Sequence, residues 1–302
     1  MLKTFAGIVV ILLTVGVYGS TDYQPTTFIK DTKLIGSLHQ NNEVEMFLGI
    51  PFAVPPINDL RWEKPIAWTP ENKKEITANK FRAACIQNQR IVNWYKRLIL
   101  DFGSDPRTFD IPEFSEDCLY LNLWRPRELK NNLPVIVYIH GGSNKAGWSY
   151  EPNYHGHNIA NKGFIVISIP YRLGVFGFFS HPDIESPNLA LYDQILALEW
   201  IQKYVSFFGG DPSNVTLVGE SAGAGGISHL IASPLSKNLF HKAIHQSGGS
   251  SFTYPTSVSD VRKLANSFAN SFEDPSLKNL KNISAGEILE ISEEIYAEHY
   301  FN

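Results

Sequence analysis

Three short apolar runs dominate the hydrophobic pattern in the middle of the chain, at Leu133–Ile139, Phe164–Ile169 and Val215–Val218. Continuous apolar runs of this length, rich in β-branched residues, are typical of strands buried on both faces of a parallel sheet. A shorter strand is predicted at Ala243–Gln246. Between the second and third runs, Leu189–Phe208 repeats its apolar residues every three or four positions, which predicts an amphipathic helix. Helix alternating with buried strand predicts an α/β fold with a doubly wound, mainly parallel sheet.

The pattern changes on either side of this region. Thr27–Ile35 and Glu43–Ile50 predict two short strands joined by a polar turn. Prolines and glycines then interrupt any regular periodicity, so 54–115 is predicted to be irregular. Near the other end, Ser284–Tyr296 predicts an acidic helix whose first residue and Glu287 have the spacing of a capping box.

The first twenty residues have the pattern of a secretory signal. Lys3 precedes an uncharged apolar run, Phe5–Val17, and small residues follow that run. The run is too short for a comfortable membrane span, so an uncleaved anchor is the weaker alternative. We expect a signal peptide over 1–19, cleaved near Gly19 or Ser20, and a secreted protein with no transmembrane span after cleavage.

Composition and charge then restrict the classes of partner. The chain has 302 residues, 43% of them hydrophobic and 19% charged, which is the composition of a globular protein. Its formal net charge of −4 argues against nucleic acid as a partner.

Secretion also bears on the cysteines and on glycosylation. Cys85 and Cys118 are the two cysteines of the chain, and an oxidising compartment favours a disulfide between them. A catalytic cysteine is the rival interpretation, but neither cysteine lies in a sequence that resembles a nucleophile turn. Asn282 begins a glycosylation sequence and is the predicted acceptor, whereas the sequence at Asn214 adjoins a predicted buried strand.

A candidate nucleophile follows the third apolar run. The segment Gly219-Glu220-Ser221-Ala222-Gly223 would place Ser221 on a sharp turn between a strand and a helix. Reactive groups of open α/β sheets cluster at this end of the strands. Side chains at the two glycine positions would collide within such a turn, so glycine has a steric reason at both. A serine hydroxyl becomes a nucleophile when a base takes its proton.

A second glycine-rich turn, His140-Gly141-Gly142-Ser143, directly follows the first apolar run. The tetrahedral intermediate of ester cleavage carries an oxyanion, which backbone N–H groups can stabilise. Alone, this segment is equally well explained as a plain glycine turn. Paired with the serine turn, it predicts an oxyanion loop, to which the N–H of Ala222 adds a further donor.

Several segments together resemble the type-B carboxylesterase family, which includes the cholinesterases. The likeness extends from about residue 28 to 255. It implies an α/β-hydrolase fold and a serine carboxylic-ester hydrolase that acts on small-molecule esters through an acyl-enzyme, without a metal or cofactor. The segments that carry it are Phe47–Pro55, Ser115–Asn122, Tyr171–Phe178, Asn188–Gln194 and Phe208–Ala224.

The resemblance also implies roles for individual residues. They are Ser221 as nucleophile; Gly142, Ser143 and Ala222 as oxyanion-hole donors; Glu220, Gly141 and Ser247 as supporting residues; Cys85 and Cys118 as a disulfide; and Arg61–Glu116 and Arg172–Asp193 as buried ion pairs. The family's loop usually has glycine or alanine at the position of Ser143. Serine keeps the N–H, but we expect its side chain to alter the loop or narrow the acyl space.

The base and acid of the triad resemble nothing in this sequence, because the family places both far beyond the nucleophile. The histidines that follow Ser221 have the wrong spacing and strand context to replace the base. We therefore expect 20–302 to be the N-terminal portion of a carboxylesterase domain, ending before the triad acid, the histidine and the later strands. The alternatives are an inactive truncated isoform and an esterase-like binding or adhesion protein.

Overall fold

The computed structural model describes residues 23–70, 74–128, 130–248 and 257–301, and the predicted signal peptide lies outside them. The strands are β1 (Thr26–Ile29), β2 (Thr32–Ile35), β3 (Ser37–Leu38), β4 (Val44–Pro51), β5 (Glu75–Thr77), β6 (Ala84–Cys85), β7 (Phe114–Ser115), β8 (Tyr120–Pro126), β9 (Leu133–Ile139), β10 (Ile165–Ile169), β11 (Gly210–Glu220) and β12 (Lys242–Gln246). The helices are α1 (Arg90–Asp101), α2 (His157–Ala160), α3 (Gly174–Phe178), α4 (Leu189–Tyr204), α5 (Ala222–Ala232), α6 (Val258–Ala269), α7 (Leu277–Leu280) and α8 (Ala285–Phe301).

The main sheet has the strand order β12-β11-β9-β10-β8-β4-β3. The pairings among β12, β11, β9 and β10 are parallel, so the four strands predicted from the middle of the chain form the parallel half. The pairings of β10 with β8, β8 with β4 and β4 with β3 are antiparallel. A separate three-stranded sheet contains β1, β2 and β5, and β6 pairs with β7.

The core lies between this sheet and helix α4. Every residue of β10 is buried, as predicted for a strand covered on both faces. Strand β9 instead alternates buried and half-buried residues, and most of β12 is exposed. Helix α4 buries Ala197, Leu198 and Ile201 completely and continues into a 3-10 turn, Val205–Phe208, so the predicted helix extends as far as expected.

Two expectations about the first half of the chain were wrong. Thr27–Ile35 is not one strand: β1 and β2 form an antiparallel hairpin that turns at Lys30, whose φ is +52°. The region 54–115 is not irregular throughout, because it contains helix α1, which buries Val92 and Tyr95. The turn gave no signal in the sequence because lysine is not typical of a left-handed turn position. Helix α1 was not predicted because the prolines that precede it indicated loops.

The Cys85–Cys118 disulfide is present and links residues 33 positions apart. Close to it, Arg61 donates two hydrogen bonds to Glu116, at 2.7 and 2.6 Å. The same guanidinium donates to the carbonyls of Leu280 and Ile283, at 3.1 and 2.7 Å. This ion pair therefore also fastens the turn between α7 and α8 to the first part of the chain.

The second ion pair joins Arg172 to Asp193, at 2.9 and 2.8 Å, and both side chains are buried. A third buried pair, Arg125 with Glu45 at 2.6 Å, has no counterpart in the sequence predictions. Removing one partner of such a pair leaves an uncompensated buried charge, which is strongly destabilising.

The C-terminal helix begins as predicted, since the N–H of Glu287 donates to Ser284 Oγ at 3.2 Å. The candidate glycosylation residue, Asn282, is exposed between α7 and α8, and its amide donates to the Lys278 carbonyl at 2.9 Å. None of the helices in the described ranges has both the length and the apolar character that a membrane span needs.

Candidate active site

Ser221 lies at the junction of β11 and α5, half-buried, with a φ of +51° that is unusual for a residue other than glycine. Its N–H donates to the carbonyl of Gln246, at 2.8 Å, and its carbonyl accepts from Gly225, at 3.0 Å. The last residue of β12 and the first turn of α5 thus hold the strained turn in place, as in a nucleophile elbow.

The two glycines around Ser221 are sterically required. A Cβ on Gly219 would lie 2.6 Å from the carbonyl carbon of Gly223. A Cβ on Gly223 would lie 2.1 Å from the carbonyl oxygen of Ile139, at the end of β9. The turn therefore brings α5 into direct backbone contact with the central strand, which is the steric reason that the sequence pattern indicated.

The loop after β9 passes directly beside the serine. A Cβ on Gly141 would lie 3.2 Å from Ser221 Cβ and 2.4 Å from Glu220 Oε2. The next residue, Gly142, has a φ of +102°, and its carbonyl accepts from the N–H of Ala146 at 3.1 Å. The structure thus brings the predicted oxyanion loop, Glu220 and the candidate nucleophile together.

Ser143 continues the loop in a left-handed conformation, with a φ of +59°, and Asn144 follows with the same value. A left-handed backbone costs about 1–2 kcal/mol for residues other than glycine. The Asn144 carbonyl accepts from the N–H of Gly174 at 2.7 Å, so α3 helps to hold this strained segment. Serine at position 143, where the family usually has glycine or alanine, therefore adopts a strained backbone conformation.

His140 supports the loop from beneath. Its ring is buried, stacks on Tyr171 at 4.4 Å and donates from Nδ1 to the Gly141 carbonyl at 2.8 Å. Burial lowers the pKa of His140 to about 4, so the ring is neutral near pH 7. The Tyr171 hydroxyl also donates to the His140 carbonyl at 2.7 Å. A neutral ring committed to the backbone positions the loop and is not available as a base.

A cavity of about 490 Å³ opens beside the loop and Glu220. Helix α1, which lies in a region predicted to be irregular, forms one wall. Aromatic rings and two carboxylates, those of Glu151 and Glu220, give it a surface that is partly apolar and partly acidic. The lining residues are Arg90, Ile91, Trp94, Tyr95, Tyr138, Gly141, Gly142, Glu151, Asn153, Tyr154, Glu220 and Gln246.

Glu151 connects this cavity wall to the loop. Its carboxylate accepts from the Tyr95 hydroxyl at 2.8 Å and from the N–H of Trp148 at 3.1 Å. Burial raises the pKa of Glu151, and the nearby charge of Glu220 raises it further, whereas these two hydrogen bonds oppose the rise. No pattern in the sequence distinguished Glu151 from other acidic residues.

The remaining site candidates surround the turn without completing a triad. Ser247 is exposed directly after β12, with a φ of +53°, and a Cβ on Gly248 would lie 2.6 Å from the Ser221 carbonyl oxygen. The pair therefore packs against the elbow. Across the described ranges, no group of three or more His, Cys, Asp or Glu side chains is arranged to hold a metal ion.

No histidine whose side chain the structure describes hydrogen-bonds to the Ser221 hydroxyl. His229 is exposed on α5, and His241 accepts a backbone N–H at 3.2 Å. His245 lies within 3.3 Å of the Ser228 hydroxyl. These three histidines are therefore exposed or bonded to other groups, and none of them serves as a base for the candidate nucleophile.

Comparisons with known proteins agree on one family. The sequence model described as "Carboxylesterase family" matches residues 24–301. Fumonisin B1 esterase of Sphingopyxis macrogoltabida is 38% identical over 83% of this chain and 44% of its own length. Human carboxylesterase 5A is 44% identical over 68% of this chain and 35% of its own length.

A solved structure of a thermophilic PNB esterase superposes with a TM-score of 0.80 and 32% sequence identity. The superposition covers 92% of this chain and 55% of that protein, and it confirms the α/β-hydrolase fold that was predicted. The chain thus spans about a third to a half of the length of the proteins that it resembles.

Proposed function

The chain belongs to the carboxylesterase family, and on that premise we propose that it provides the nucleophile half of a secreted carboxylic-ester hydrolase. The observation that carries the proposal is the contact between two separate turns. Ser221 stands on a strained strand-to-helix turn, and the glycine loop after β9 passes within 3.2 Å of it, measured from Ser221 Cβ to a Cβ built on Gly141.

In this mechanism the Ser221 hydroxyl attacks the ester carbonyl as a base takes its proton. The carbonyl oxygen becomes an oxyanion, which the N–H groups of Gly142, Ser143 and Ala222 stabilise. The alcohol leaves with a proton, and water then hydrolyses the acyl-enzyme and restores the serine. Glu220, beside the serine and at the cavity, would lie close to the bound ester.

The base and the acid belong, in our proposal, to residues outside those described. Two facts support this: no histidine with a described side chain bonds to the Ser221 hydroxyl, and the relatives are at least twice as long as the segments matched in them. The 302 residues would then be the N-terminal portion of a longer catalytic domain. The alternative is an inactive truncated isoform or an esterase-like protein that binds without catalysis.

Secretion is part of the same proposal. The signal peptide over 1–19 and a mature chain from 20 onward would deliver the protein to an oxidising compartment, which suits the Cys85–Cys118 disulfide. Exposed Asn282 would be accessible to glycosylation there.

The test compares Ser221→Ala with Ser228→Ala, a serine of the helix α5 that follows Ser221, in the protein secreted from its own gene. We expect a fluorophosphonate probe to label the wild type and Ser228→Ala but not Ser221→Ala, and p-nitrophenyl ester hydrolysis to follow the labelling. Absence of labelling in the secreted wild type would favour the binding alternative. Labelling of the isolated 302-residue chain would overturn the proposal that its base lies elsewhere.

A further inference from the structure

We propose that Gln87 is a positioning residue that sets the geometry of the oxyanion loop, and that the Cys85–Cys118 disulfide holds Gln87 in place for this task. The inference rests on the proposed function, because it concerns the same reaction. Gln87 is 60 positions from its loop partner and lies in none of the segments from which the function was inferred.

The contacts of Gln87 form a two-point clamp. Its Oε1 accepts from the N–H of Gly147 at 2.7 Å, and its Nε2 donates to the carbonyl of Gly147 at 2.7 Å. One planar amide therefore pairs with both backbone groups of a single residue, which fixes orientation as well as distance. The side chain is 3% exposed, so water does not substitute easily for either bond.

The clamped residue closes the oxyanion loop. Gly147 has a φ of +103°, and a Cβ on it would lie 2.7 Å from the Gly141 carbonyl oxygen. The residue before it, Ala146, donates to the Gly142 carbonyl at 3.1 Å. Holding Gly147 therefore restrains the peptide groups of Gly141 and Gly142. A shift of Gly147 would move the Gly142 N–H, which is a proposed oxyanion donor.

The disulfide fixes the other end of the clamp. Nε2 of Gln87 also donates to the Cys85 carbonyl at 3.0 Å. Cys85 belongs to β6, which pairs with β7, and the N–H of Ile86 donates to the Ser115 carbonyl at 3.0 Å. Because Cys118 lies three residues after Ser115, the crosslink and the short sheet together restrain the backbone from which Gln87 extends.

If Gln87 had a purely structural role, it would only supply hydrogen-bond partners for buried backbone groups. Gln202 has such a role and is a control for it. Gln202 donates from Nε2 to the carbonyls of Pro212 and Leu239, both at 2.9 Å. Pro212 is near the start of β11, at the end of the strand opposite Ser221. Gln87→Met and Gln202→Met each remove an amide that bonds to backbone, but only the first releases the oxyanion loop.

The experiment uses the full-length secreted protein and p-nitrophenyl acetate. We expect Gln87→Met to lower kcat about 10- to 100-fold, approaching the loss of one oxyanion-hole donor, with KM within twofold of wild type. The Ki of a trifluoromethyl ketone, whose serine adduct places an oxyanion in the hole, should rise by the same factor as kcat/KM falls. Hydrogen exchange of residues 141–147 should accelerate, and Gln202→Met should change none of the three quantities by more than twofold.

A kcat for Gln87→Met within twofold of wild type, or an unchanged exchange rate over 141–147, overturns the inference. If Gln87→Met does not fold, Gln87→Glu has the same shape and keeps the acceptor for the Gly147 N–H while losing the donor, and the same criteria apply. If the wild type hydrolyses no ester, the proposed function fails, whereas the exchange comparison still decides whether Gln87 holds the loop.

Discussion

Two glycines of α5 give the sharpest test of the backbone contact at the elbow, because alanine should act in opposite directions at positions only two apart. At Gly225, no atom of the described residues lies within 4 Å of an added Cβ, apart from the chain neighbours and the helix itself. Replacing a helical glycine by alanine in open space stabilises a protein by about 0.5–1 kcal/mol.

At Gly223 the same methyl group would lie 2.1 Å from the Ile139 carbonyl oxygen and 2.7 Å from that of His140. Even a close C–H···O contact needs about 3.3 Å between carbon and oxygen, so the helix and β9 must separate by roughly 1 Å. Forcing an extra methylene into a packed interior costs about 1–3 kcal/mol, which exceeds the gain in helix propensity. The shift also moves the start of the oxyanion loop.

Urea unfolding of Gly223→Ala, Gly225→Ala and the wild type measures both effects, and ester hydrolysis accompanies it. We expect Gly225→Ala to raise the unfolding free energy and keep its activity, and Gly223→Ala to lower both. The two variants should differ by about 1–3 kcal/mol, because the gain in helix propensity is common to both. A Gly223→Ala protein as stable and as active as the wild type would refute the direct contact between α5 and the β9 backbone.

Three further substitutions test the surroundings of the elbow. The pKa of His140 is lowered to about 4 from 6.5, so the unfolded chain binds an extra proton between these pH values. Stability should therefore fall as the pH drops through this window, by up to about 3 kcal/mol, and unfolding titrations of His140→Gln should lack that one-proton slope. Ser143→Gly should raise the thermal midpoint, because glycine adopts the φ of +59° without the cost of about 1 kcal/mol that serine incurs; an unchanged midpoint would contradict the strain. Asp193→Asn leaves the Arg172 charge buried and should cost about 3–5 kcal/mol in urea unfolding, and a loss below about 1 kcal/mol would mean that the pair is dispensable.

The parts of the fold that sequence patterns predicted are those determined by local periodicity. The three apolar runs form strands of the sheet, and Leu189–Phe208 forms the helix that packs on it. These elements are predictable because the positions that become buried must be apolar. Helix α1 also has a helical pattern in the sequence, since Ile91, Tyr95 and Leu98 follow one another at spacings of four and three. The prolines and glycines around it are typical of loops, so the whole region was predicted to be irregular despite the helical spacing.

Long-range pairings have no such local signal. Arg125 and Glu45 are 80 residues apart and meet because β8 and β4 are neighbours, a consequence of sheet order that no short segment encodes. The turn at Lys30 is similar, because its positive φ is imposed by the pairing of Thr26 with Ile35 across the hairpin. Tertiary contacts, rather than residue preference, determine both features.

The oxyanion loop depends both on a local sequence pattern and on long-range contacts. Its glycines are visible in the sequence because only they permit the close approach to the serine, so the pattern identifies where backbone N–H groups can be presented. The position of those groups depends on distant residues: Gln87 pairs with Gly147, and Gly174 donates to the Asn144 carbonyl. Catalytic geometry in this chain is thus recognised by its motif but held by residues outside it, and substitutions at Gln87 should impair the reaction while every motif residue remains intact.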